Sequence, residues 1–146
     1  MLDSFISQFT KKKIQYKKFR HQYIQITREQ EELIKTISEK PYSAGLLLGE
    51  DYKGRFLPSS SLMDWVAKNS DKKVFLNKKS EWFFLCGRMV MPDGIIRANV
   101  KDGIVLVQNE RDENLGFGKI FLENGRMMIR PIYDKGFFLR REKNKR

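Results

Sequence analysis

Cysteine occurs once in the 146 residues, at Cys86, and histidine once, at His21. One thiol forms no internal disulfide, and one thiol plus one imidazole cannot build a cysteine or histidine zinc site. Long apolar runs are lacking too. The longest, Trp82 to Cys86, has five residues, against the roughly 20 that a membrane helix needs. The start, Met1-Leu2-Asp3-Ser4, lacks the basic-then-apolar order of a secretory leader. A reduced, soluble, cytoplasmic protein with no membrane partner is the expectation. Signatures of catalysis are equally scarce. There is no Walker loop and no GxGxxG. The acids of 109–114 fit no calcium-loop spacing, and Ser59, Ser60 and Ser61 have no histidine to activate them and serve helix capping. His21 reads as a surface imidazole and Cys86 as a buried hydrophobe. The chain is therefore expected to be non-enzymatic, with no catalytic residue, no metal and no cofactor.

Aromatic residues and positive charge are abundant. Eleven Phe, five Tyr and two Trp argue for a packed core rather than disorder, and the length suits one domain or two small ones. The net charge is +11. Residues 74–125 are balanced, whereas 1–40 carry +4 and 126–146 carry +6, with eight basic residues against two acids. Clustered basic charge of this kind fits a polyanion partner, most commonly nucleic acid.

Periodicity divides the chain at about residue 73. Leu2, Phe5, Ile6 and Phe9 share a helix face, with Asp3 as N-cap and Lys11–Lys13 near its end. Phe19 to Ile26 reads as a strand. Thr27 and Gln30 form a capping box that opens a helix burying Leu33, Ile34 and Ile37, supported by a Glu31–Lys35 pair and stopped by Pro41. Ala44–Leu48 and Arg55–Leu57 flank a turn at 51–54, and Ser61 caps a helix carrying Leu62, Trp65 and Val66. Residues 1–73 thus read as an α+β domain, three helices around a small antiparallel sheet. After Val74–Leu76, Ser80 caps one short helix that Gly87 ends. Strands follow at 95–100, 104–107, 115–121, 127–130 and 137–141, and Asn124-Gly125 is the strongest hairpin signal. Gly116 and Gly118 imply close backbone approach. Residues 74–146 read as a small barrel with a basic C-terminal tail.

This second half resembles a PUA domain, an RNA-binding barrel. The likeness runs through Phe84-Leu85-Cys86-Gly87-Arg88, then 101–109, then Leu115-Gly116-Phe117-Gly118. The whole chain resembles the nuclear-import-protein-seven family of ribosome-biogenesis factors in its archaeal form, at 40–49 and at Gly136-Phe137-Phe138-Leu139-Arg140-Arg141. The resemblance implies an N-terminal α/β pre-PUA domain followed by a PUA-type mixed β-barrel. It also implies a non-catalytic factor that binds pre-ribosomal RNA during large-subunit assembly and rRNA processing.

Position by position, Arg126 and Arg130 fall on basic family positions, while Met127 and Tyr133 stand where relatives carry further basic residues. Lys119, Lys135, Arg140 and Arg141 complete the expected RNA-binding set. Independently of any family, Arg126 and Arg130 are four apart on a strand and so share a face, and the planar fork of arginine matches phosphate. The run Lys11–Arg20 reads as a solvated helix face. Two other readings stand beside this one. The chain serves an RNA-modifying enzyme by binding tRNA, or it docks through its first domain to ribosome-assembly or RNA-processing proteins.

Overall fold

The computed structural model describes residues 1–38, 45–137 and 140. The chain is α+β and divides into two compact units, residues 1–66 and 67–146.

The first unit contains α1 (Leu2–Ile6), β1 (Lys17–Phe19), β2 (Gln22–Gln25), α2 (Arg28–Thr36), β3 (Leu46–Tyr52), β4 (Arg55–Pro58) and most of α3 (Ser60–Lys68). Its four strands form an antiparallel sheet in the order β1-β2-β3-β4. Leu2, Phe5, Ile6 and Phe9 are all buried, as their spacing requires. Phe5 and Tyr23 each pack a ring on Phe56 at 5.3 and 5.5 Å. Asp3, expected as N-cap, lies inside the first turn, and its carboxylate instead accepts from Tyr16 Oη at 2.8 Å.

Several local expectations change. The strand expected over Phe19 to Ile26 is a hairpin, because Arg20 takes a left-handed conformation (φ 52°) and reverses the chain. Lys11–Lys13 follow α1 and Lys17–Lys18 lie on β1, so the basic run is not a helix face. The capping box at Thr27 and Gln30 forms in full, and Glu31 approaches Lys35 at 3.8 Å. Helix α2 nevertheless buries none of its residues, and Leu33 is 62% exposed. It is held by its cap, by Arg28–Glu32 and Glu31–Lys35, and by an ion pair from Lys17 to Glu31. Helix α3 is capped by Ser59, not Ser61, since Ser59 Oγ accepts the Leu62 N–H at 3.1 Å. The helix stop expected at Pro41 and the strand start at Ala44 lie outside the described residues.

One polar cluster of this unit contributes to its acid sensitivity. Asp51 Oδ2 accepts from Lys18 Nζ at 2.7 Å and from Tyr23 Oη at 2.9 Å. The Lys18 bond, and then that of Tyr23, hold the Asp51 carboxyl below its ordinary range. A depressed carboxyl contributes stability that is complete above the unfolded value, near about 3.9, and is lost as pH falls through the folded one. Asp51→Asn is therefore expected to lower Tm near neutrality, with the deficit closing below about pH 4. Thermal melts of both proteins across that range check it, and a deficit independent of pH would contradict it.

The second unit follows with β5 (Lys73–Leu76), α4 (Lys78–Leu85), a 3-10 turn at Pro92–Gly94, β6 (Ile95–Ala98), β7 (Gly103–Gln108), β8 (Asn114–Glu123) and β9 (Arg126–Asp134). They form a curled five-stranded sheet in the order β6-β5-β7-β8-β9, with β5 and β7 parallel and the other pairs antiparallel. The concave face buries Val74, Leu76, Val105, Val107, Ile120 and Ile129 against Phe84 of α4. Asn124 and Gly125, at φ 51° and 74°, make the tight turn that the dipeptide implies. At Gly118 a Cβ would stand 2.7 Å from the Arg130 carbonyl, and at Gly116 it would collide with the Tyr133 carbonyl. The close approach expected there is real.

Asn77, not Ser80, caps α4 and accepts the Ser80 N–H at 2.9 Å. Gly87 ends this helix at φ 75°. Cys86 is exposed rather than buried, because it sits one turn beyond Trp82 on the outward side of α4. The last strand expected at 137–141 is instead a helical turn where described, with the Arg140 N–H bonding to the Gly136 carbonyl at 3.1 Å. The acids of 109–114 turn out to belong to an ordered loop. Asn109 Oδ1 accepts from the Arg111 and Glu113 N–H groups, and Asp112 accepts from Gln108 Nε2 and Lys73 Nζ.

Candidate nucleic-acid interface

The hairpin β8–β9 builds the candidate site. Its register pairs Lys119 with Arg130, Phe121 with Met128 and Glu123 with Arg126. Residues directly opposite in an antiparallel pair share a face, and side chains alternate along each strand. Ile120 and Ile129 point into the core. The face carrying Lys119, Phe121, Arg126 and Arg130 is therefore the opposite one, and it also carries Met128, which is buried between the two arginines.

Lys119 and Arg130 are exposed, and among the described residues neither has an ion-pair partner. Two cations directly opposite repel, so this arrangement costs stability unless an anion arrives. The Arg130 guanidinium lies over the Phe121 ring at 5.4 Å, a cation–π contact that helps hold it in place. Arg126 stands two strand repeats away on the same face, roughly 14 Å at the usual strand rise. It donates to Asp93 Oδ1 at 2.6 Å. Both partners are well exposed, at 62% and 89%. An exposed pair of this kind contributes about 0–1 kcal/mol, so a phosphate can displace Asp93.

The other expected residues are placed differently. Lys135 follows β9 and is half-buried, its N–H bonded to the Leu115 carbonyl at 2.9 Å. Arg140 binds both oxygens of Asp134 at 2.8 and 2.9 Å and also donates to the Leu85 carbonyl at the end of α4. The Asp134 bond holds the Arg140 guanidinium above its ordinary pKa. Arg141 lies outside the described residues. The structure thus brings Lys119, Arg126 and Arg130 together on one face, and gives Arg140 internal partners.

Other features were not read from the sequence. Trp82 is 67% exposed on α4. Lys79 Nζ and the Arg88 guanidinium lie 5.9 and 6.0 Å from the Phe83 ring centroid. The i,i+4 spacing of Lys78 with Trp82 and of Lys79 with Phe83 carries the signal, once the helix is known to begin at Lys78 rather than after it. Arg97 stacks on Phe75 at 4.1 Å in a further cation–π pair. Among the described residues no three His, Cys, Asp or Glu side chains are placed to hold a metal ion, and no helix is long and apolar enough to cross a membrane.

Residues 72–143 match the family model described as the UPF0113 PUA domain. The chain is similar to a UPF0113 protein of Archaeoglobus fulgidus, 31% identical over 113 residues, which cover 70% of this chain and 64% of the relative. It is also similar to a UPF0113 protein of Aeropyrum pernix, 34% identical over 103 residues, 68% of this chain and 58% of that one. The match thus spans about three fifths of the length of these curated relatives. Among solved structures, a conserved PUA domain protein from Thermoplasma acidophilum aligns over 61% of this chain and 65% of its own, with TM-score 0.49 and 20% identity. A hypothetical protein from Pyrococcus horikoshii aligns over 91% and 89%, with TM-score 0.49 and 15% identity.

Proposed function

We propose that the protein binds RNA without catalysing a reaction on it, through the face of β8 and β9 that carries Lys119, Arg126 and Arg130; the match of residues 72–143 to the UPF0113 PUA domain model supports this reading. The observation that carries this reading is the bare Lys119–Arg130 pair with Arg126 beyond it. Cations held opposite one another without an acid fit a partner that supplies negative charge along a line. We further propose that the RNA is ribosomal and the setting large-subunit assembly. Its support is the resemblance of 40–49 and 136–141 to that family of assembly factors. The first unit, with its exposed α2, is then free to meet assembly proteins.

A salt-titrated binding assay tests the electrostatic core of this reading. Each phosphate contact to single-stranded RNA lowers log affinity by about 0.7 per decade of salt. Three contacts on the sheet face give a slope of about −2, and roughly −3.5 results if two basic residues of the C-terminal run also engage. An affinity indifferent to salt would sink the phosphate-binding reading. Ribosomal RNA fragments measured beside tRNA decide the setting. Equal or tighter binding to tRNA favours an accessory role with a tRNA-modifying enzyme.

A further inference from the structure

Helix α4 turns only part of its surface inward. Ser80 and Phe84, one turn apart, are its buried residues. Trp82, about half-way round the helix from both, is 67% exposed. An indole this large is usually well buried, and water gains nothing from its apolar faces. Its surroundings are cationic. Lys78 lies one turn before it on the same side, both residues being exposed. Lys79 and Arg88 flank the neighbouring Phe83 ring. Cys86, one turn after Trp82, is exposed. Two cations on this helix, Lys78 and Lys79, and Arg88 just beyond its end stand beside the helix's one acid, the half-buried Glu81. A fitting occupant is negatively charged and carries flat π faces.

We propose that Trp82 is a base-stacking platform for an unpaired RNA base, with Lys78, Lys79 and Arg88 holding the flanking phosphates. This rests on the RNA-binding reading above and assigns that RNA a single-stranded segment. Bases inside a duplex are already stacked and offer no free face, whereas unpaired bases stack readily on aromatic side chains. Stacking tolerates any base, because every base has a π face. The β8–β9 face, by contrast, holds phosphates only and accepts single and double strands alike.

The test compares the parent chain with Trp82→Ala, Trp82→Phe and the Arg126→Ala/Arg130→Ala double variant. Fluorescence anisotropy measures binding to labelled oligouridine and to a labelled RNA duplex of equal charge. Thermal melts confirm that each variant folds, which the exposure of Trp82 favours. Trp82→Ala is expected to weaken oligouridine binding about 5- to 100-fold, Trp82→Phe by less, and duplex binding is expected to hold within about twofold. The arginine pair is expected to weaken both ligands. A Trp82→Ala protein that binds oligouridine as the parent does, while the arginine pair still matters, overturns the stacking proposal and leaves the RNA reading intact. If the parent binds neither RNA, the RNA reading fails first. If Trp82→Ala instead abolishes a concentration-dependent self-association and leaves RNA binding unchanged, this face is a protein contact and the proposal is wrong.

Discussion

Replacing Arg126 and Arg130 together with alanine is expected to lower RNA affinity tenfold or more and to leave Tm within about 3 °C of the parent. Both guanidinium groups are exposed, so their loss opens no cavity, and surface changes of this kind usually stay within about 0.5 kcal/mol. Each charge-assisted bond to phosphate is worth roughly 1–3 kcal/mol, and 1.4 kcal/mol is a factor of ten. The two sites are not equal. Arg130 lies over Phe121 and faces Lys119, with no ion-pair partner among the described residues, so it gives up no ion pair there to meet a phosphate. Arg126 must first leave Asp93 and has Glu123 opposite it. Arg130→Ala is therefore expected to be the costlier single change, and Asp93→Ala to strengthen binding a few-fold. The losses are expected to be nearly uniform across RNA sequences, because phosphate contacts position rather than specify. Lys11→Ala/Lys13→Ala, exposed residues of the first unit, serve as the charge-matched control. A control that weakens binding as much as the arginine pair would show that net charge, not this face, holds the RNA.

What could be read from sequence follows the range of the forces involved. Elements governed by neighbours in the chain were legible: the Thr27–Gln30 capping box, the Asn124-Gly125 turn, the Gly87 helix stop and the buried stripe Leu2-Phe5-Ile6-Phe9. The alternation that puts Arg126 and Arg130 on one face was legible for the same reason. Burial was legible at that stripe but not at other apolar positions, because it depends on what the rest of the fold brings near. Leu33 on α2 and Ile37 at its C-cap are apolar yet 62% and 47% exposed. Cys86 ends the most apolar run in the chain yet faces outward, because Phe84 takes the core side of α4. Pairing across distance was equally out of reach. No local pattern places Asp93 on Arg126, 33 residues away, or Leu85 on Arg140, 55 residues away.

That last pairing separates a residue that holds the fold from one that holds RNA, and Arg140→Ala is expected to fall on the structural side. The guanidinium bridges both oxygens of Asp134 and the carbonyl that ends α4. Asp134 lies at the end of β9 with its side chain 8% exposed, whereas that of Arg140 is 39% exposed. Removing one partner of a fully buried pair costs about 3–5 kcal/mol, chiefly through the charge left behind. Here one partner is partly solvated, so screening reduces the figure to roughly 2 kcal/mol. For a unit of about 80 residues each kcal/mol moves Tm by about 4–8 °C, so a drop of about 10 °C is expected. Arg140→Lys keeps a charge but loses the fork, and is expected to fall between the parent and the alanine variant. Adding Asp134→Asn to Arg140→Ala removes the stranded charge and is expected to recover part of the loss. RNA affinity, measured well below both melting points, is expected to stay within about threefold of the parent, since the guanidinium already has its acceptors. A variant with parental Tm and a tenfold loss of affinity would instead place Arg140 among the phosphate contacts, beside Arg126 and Arg130.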